Sequence, residues 1–131
     1  GDRPVPNSDL DGLATNAVNN YFSNMNVVEG LGRQYGFNYA FFWQPVVYTS
    51  YKTLSAEEQQ IRQAKNLRNL ASWVPKVHDV VRGQRHPHFY DLTDTFDQAG
   101  GNVFLDWCHV TMTGNQMIAR RMFEAVRPNG S

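Results

Sequence analysis

Between Leu10 and Leu31, apolar residues recur at spacings of three and four: Leu10, Leu13, Ala14, Ala17, Val18, Tyr21, Phe22, Met25, Val28 and Leu31. That period places them on one face of an amphipathic helix of several turns. Ser8 is a suitable N-cap, with Asp9 and Asp11 favourable in the first turn. Gly36 is a suitable stop, because a glycine just past the last turn adopts the left-handed conformation at little cost. Ahead of this helix, "GDRPVPN" carries two prolines and predicts an extended lead-in. The pattern then changes. Phe37 to Trp43 is aromatic and apolar on both faces, which predicts a strand covered on both sides, as inside a parallel sheet. Pro45 ends its ladder, and a polar loop runs through Thr53. Ser55 and Glu58 have the capping-box spacing and open the next helix. Pro75 is expected to break or restart that helix, leaving a second piece from about Lys76 to Arg82. A second, short strand is predicted over Phe89 to Leu92. Gly100 and Gly101 turn the chain into a last apolar run. Thr111 or Thr113 then caps a final helix with Met117, Ile118, Met122, Phe123 and Val126 on one face, ended by Pro128.

The order is helix, strand, helices, strand, loop, helix. Alternation of this kind predicts an α/β fold with a parallel sheet. Only two strands stand out, and two strands leave a sheet edge open, with an aromatic face in need of cover. The chain, residues 1–131, is therefore expected to be one incomplete α/β domain. Either a missing N-terminal segment or a second copy of the chain would complete its sheet.

Composition narrows the partners. Lys plus Arg and Asp plus Glu number 12 each, with no clustered basic stripe, so neither nucleic acid nor an anionic surface is indicated. The longest nearly apolar run, Phe37 to Tyr48, is interrupted by Asn38, Gln44 and Pro45 and is too short for a membrane span. The single cysteine, Cys108, excludes an internal disulfide and any paired-cysteine zinc spacing.

The candidate chemistry lies in "NVFLDWCHVTMTGNQMIARRMFEAV". Asp106 and His109 stand three residues apart, between an apolar run and a helix. A carboxylate that fixes an imidazole tautomer and stabilises its cation is two thirds of a hydrolytic triad. The third part, a nucleophile, is harder to find. Ser8 and Ser55 read as helix caps, Ser23 and Ser72 as helix-face residues, and Ser131 ends the chain. Ser50 is the one loop serine near a strand end, and no strained turn presents it. His86, His88, Cys108 and His109 form the other set that chemistry singles out, as metal ligands. Pro87 separates the first two, and the last two are adjacent and point apart, so rim histidines are the simpler account and no metal or cofactor is expected. Gln44, polar at a strand terminus, is a candidate substrate contact. Trp107, between acid and base, either shields their hydrogen bond or packs.

The final block resembles the last conserved block of the SGNH, or GDSL-type, hydrolases. There an apolar run leads to Asp-x-x-His, then a glycine and a helix with Ile-Ala early in it. Asp106 and His109 match the acid and base, Gly114 the glycine, and Ile118-Ala119 the helix. "LGRQYGFNYAFFWQPVVYTS" is similar to the helix end and fourth strand of that family, and "HFYDLTDTFD" to its fifth strand. The resemblance covers the chain from about Asn16 onward. It implies a three-layer α/β/α sandwich of the SGNH, flavodoxin-like kind whose parallel sheet lacks its N-terminal strands. It also implies a serine ester hydrolase with His109 as general base and Asp106 as orienting acid. The family's Gly-Asp-Ser and Gly-x-Asn-Asp blocks are not found: Arg3 follows Gly1-Asp2 where the serine would stand. The isolated chain is thus expected to be inactive toward its ester substrate. The alternative is a non-catalytic α/β interaction module that self-associates through the open sheet edge.

Overall fold

The computed structural model describes residues 6–128. The lead-in over residues 1–5, Arg3 included, lies outside the described residues, as do the side chain of Ser8 and the terminal Ser131. The elements run α1 (Asn7–Tyr35), β1 (Phe41–Trp43), α2 (Ala56–Arg62), a 3₁₀ turn (Lys65–Leu67), α3 (Arg68–Arg82), β2 (Phe89–Asp91) and α4 (Met112–Val126). The fold mixes helices with a small two-stranded sheet, as the alternation implied. The strands are parallel, with Phe41, Phe42 and Trp43 opposite Phe89, Tyr90 and Asp91. None of the described helices is long and apolar enough to cross a membrane.

Helix α1 begins at Asn7, directly after Pro6, so Ser8 lies inside its first turn rather than at its cap. It ends as expected. Gly36 has φ 72°, and its N–H donates to the Gly32 carbonyl. The apolar stripe is covered over only part of its length: Leu10, Ala14, Val18 and Met25 are buried, whereas Leu13 and Leu31 are exposed. The first strand is shorter than predicted, because Phe37 is exposed and pairing begins only where Phe41 N–H donates to the His88 carbonyl. Its residues are half-buried, as befits a sheet with one neighbour.

Pro75 does not break a helix. It lies inside α3, and the interruption comes earlier, between Arg62 and Arg68. A helix-interior proline costs on the order of 3 kcal/mol. Packing along both sides of α3 outweighs it. Val77 and Val81 meet Ala14 and Val18 of α1, with Trp43 and Phe89 of the sheet closing that cluster. Leu70, Ala71 and Val74 reach a second cluster built on Val47, Leu92, Phe96, Val103, Phe104 and Ile118. Phe42 and Tyr90, stacked 5.5 Å apart, join this second cluster from the other face of the sheet. Of the predicted face of α4, Ile118 is buried and Met117 and Met122 partly so, while Phe123 and Val126 are exposed.

The capping box is present, and it does more than cap. Ser55 Oγ accepts from Glu58 N–H, and Glu58 Oε2 accepts from Ser55 N–H. The same carboxylate is fully buried and also accepts from Val103 N–H at 2.7 Å and Phe104 N–H at 3.2 Å. Lys52 Nζ, likewise buried, completes the set at 2.9 Å. Burial alone would raise the Glu58 pKa, but these partners outweigh it and hold the carboxyl below its ordinary value.

Replacing Glu58 with alanine leaves two buried N–H groups unpaired and the buried Lys52 ammonium with no counter-charge, only the Thr53 carbonyl at 3.0 Å. The expected loss is about 3–5 kcal/mol of unfolding free energy. Urea denaturation measures it, and a loss under about 1 kcal/mol, the range of an exposed ion pair, would refute a dry, structural role for Glu58.

Candidate active site

The loop that follows the second cluster is a tight reversal. Phe104 and Val110 form an antiparallel bridge, Thr111 N–H donates to the Val103 carbonyl, and Leu105 N–H donates to the His109 carbonyl. Asp106 sits in the bend and closes it with one oxygen: Oδ1 accepts from Cys108 N–H at 2.9 Å and His109 N–H at 2.7 Å. That leaves Oδ2, which meets His109 Nδ1 at 2.7 Å. The His109 and Cys108 amides, and then the imidazole, hold the Asp106 carboxyl far below the carboxylate range. An ionised carboxylate only accepts, so Nδ1 carries a proton, and in the neutral ring Nε2 then presents its lone pair. This is the tautomer a general base requires. Both side chains are open to solvent, Asp106 at 50% and His109 at 74% exposure.

The surrounding residues explain how the pair is held. Val47 N–H donates to the Trp107 carbonyl, tying the loop to the segment that leaves β1. The Trp107 ring stacks on Tyr48 at 6.4 Å, so it packs the base of the loop while the pair stays exposed. Thr111, one of the two expected caps, accepts from Gly114 N–H and starts α4. Gly114 lets that first turn approach closely: a Cβ there would lie 2.9 Å from the Val103 carbonyl oxygen and 3.0 Å from Val110 Cβ. Any larger residue would push on both ends of the reversal that carries Asp106 and His109. Gln44 is exposed one residue past the C-terminal end of β1.

No described serine hydroxyl is hydrogen-bonded to His109. Ser50 is buried and Oγ accepts from Lys52 N–H, Ser55 caps α2, Ser72 Oγ donates to the Arg68 carbonyl, and Ser23 is exposed on α1. Cys108 is no substitute, because burial and the Asp106 charge push its thiol up, away from the reactive thiolate. Asp106, Cys108 and His109 do bring possible metal-ligand atoms within 4.8 Å of one another. But Oδ1 is spent on two amides and Oδ2 on the imidazole, an arrangement suited to proton transfer rather than to a metal cage. His86 and His88 belong to the opposite end of the sheet, before β2, where His86 Nε2 meets Glu29 at 3.3 Å.

A second His–Asp pair escaped the sequence reading. His78 Nε2 lies 2.7 Å from Asp91 Oδ2 and 3.1 Å from Thr93 Oγ1, and Thr93 donates from both N–H and Oγ1 to Asp91 Oδ1. Asp-x-Thr at a strand end was the available signal. The histidine, ten residues into another helix, was not connectable to it. Comparison with known proteins finds no matching family model, curated protein or solved structure.

Burial pushes Asp91 up, yet His78 and the two Thr93 donors hold it down to about 2 from an ordinary 3.8. A depressed carboxyl stabilises the fold above its unfolded value and loses that contribution as pH falls through the folded one. Asp91→Asn should therefore destabilise the protein at pH 6, with the penalty shrinking between about pH 4 and pH 2. Urea midpoints across this range test it, and a pH-independent penalty would contradict it.

Proposed function

We propose that the chain carries the acid–base half of an SGNH-type serine ester hydrolase, with His109 as general base and Asp106 as its orienting carboxylate. The observation that carries this reading is the 2.7 Å Asp106 Oδ2–His109 Nδ1 contact, which leaves Nε2 facing solvent in the proton-accepting tautomer. The order of elements supports it, as does the close seat of Gly114 beneath the loop. In this reading the two strands are the far side of a larger parallel sheet in a three-layer α/β/α sandwich. The nucleophilic serine and the oxyanion donors come from strands outside the described residues. His109 Nε2 takes the serine proton as the hydroxyl attacks the ester carbonyl, then returns it to the leaving alcohol. Gln44 and Trp107 flank the substrate.

One observation favours a second reading, a self-associating module without catalysis. Phe41 and Trp43 turn their backbone groups to β2, so in a parallel ladder those of Phe42 point to the other edge. Beside this element pair, the exposed Val126 of α4 lines an open hollow with Tyr39, Ala40 and Tyr90. An edge and flank of this kind suit a second copy of the chain as well as missing strands.

The coding sequence upstream of the Asp2 codon separates the two. For the hydrolase we expect an in-frame Gly-Asp-Ser block followed by a Gly-x-Asn-Asp block. The present chain alone should then show no serine labelled by a fluorophosphonate. An in-frame stop just before a start codon would remove the hydrolase reading and leave the module.

A further inference from the structure

A pocket of about 240 Å³ opens beside the loop that follows β1, lined by Tyr48 to Lys52 of that loop, Arg62 of α2, and Pro75, His78, Asp79 and Arg82 of α3. Its charges do not cancel. Lys52 is spent on Glu58, and His78 on Asp91. Arg62 and Arg82 make no ion pair among the described residues, and one acid, Asp79, stands against the two. An adjoining hollow shares His78 and Arg82 and adds Asp91, Asp94 and Asp97. Each of these carboxylates is already engaged, Asp91 by His78, Asp94 by Arg121 at 2.9 Å, and Asp97 by Tyr51 N–H at 3.0 Å.

Both arginines sit in the last turn of their helices, where the carbonyl end of the helix favours a cation and no acid is needed to hold it. Two guanidinium groups from different helices facing one small pocket are suited to a bidentate grip on an oxyanion. The inner wall holds a further unmet donor. Tyr48 is 7% exposed, and its buried hydroxyl has no hydrogen-bond partner among the described residues, under the influence of the Arg62 charge. An orphan hydroxyl of this kind is uncommon in a folded protein and is satisfied by an acceptor oxygen. The volume suits a small anion or the charged end of a larger molecule, since whole drug-sized ligands occupy about 300–1,000 Å³.

We propose that this pocket binds the oxyanion of a small molecule, a phosphate or carboxylate group gripped by Arg62 and Arg82. The site is independent of the Asp106–His109 pair and of any hydrolase activity. Calorimetric titration of the chain at low ionic strength, with inorganic phosphate in one arm and succinate in the other, tests it. Saturable binding of either anion is expected, and the anion that binds assigns the ligand class. Arg62→Gln and Arg82→Gln should each weaken it by roughly tenfold or more, as loss of a charge-assisted fork does. Arg120→Gln, on the exposed face of α4, should leave it unchanged. Both pocket arginines are exposed, so thermal midpoints of the variants should match the parent and exclude misfolding. Absence of saturable binding in both arms would overturn the proposal, as would an equal loss in Arg120→Gln.

Discussion

The Glu58 carboxylate is the constraint on which the rest of this structure hangs. It gathers the Ser55 amide at the start of α2, the Lys52 ammonium from the loop after β1, and the Val103 and Phe104 amides at the root of the Asp106–His109 reversal. A charge with no exposed surface is tolerated only if its partners replace water almost completely. Four donors on two oxygens do so. The consequence is geometric. Two segments more than forty residues apart in sequence, 52–58 and 103–104, are pinned to one buried point, and the loop that bears the candidate acid and base starts from that point.

Above this anchor, the pair itself is assembled by short-range means. One Asp106 oxygen closes the turn and the other orients the imidazole, so a single side chain sets both backbone and tautomer. Gly114 and the Thr111 cap then fix where α4 begins, and Trp107 leans on Tyr48. The result is an imidazole held through Nδ1 on a solvent-exposed loop. Among the described residues no serine hydroxyl bonds the imidazole, and the unpaired side of β1 is an edge on which a further strand could pair. On the proposed hydrolase reading the open edge and the Asp106–His109 pair would share one explanation, whereas the interaction-module reading accounts only for the edge.

Features readable in the sequence are those made by neighbours along the chain. The stop at Gly36, the Ser55–Glu58 box, the Thr111 cap and the Asp106–His109 spacing each span four residues or fewer, and each forms as read. Features that need tertiary contacts were not readable. Pro75 stays helical because α3 is packed along α1, and no local rule anticipates that. Phe37 is exposed because β1 starts only where β2 meets it. Glu58 is legible as a capping-box residue, but its bonds to Val103 and Phe104, more than forty residues away, and its ion pair with Lys52 follow no local pattern. The His78–Asp91 pair and the two arginines beside Tyr48 are likewise products of folding, joined across separate helices and strands.

Esterase kinetics of His109→Ala against the parent, on the protein translated from the whole reading frame, test the central claim most directly. With short-chain p-nitrophenyl esters, loss of the general base should lower kcat by roughly 10⁴–10⁶ while KM changes little. An active parent whose kcat survives the substitution would show that His109 is not the base. The Asp106–His109 pair would then be a turn-forming contact and nothing more.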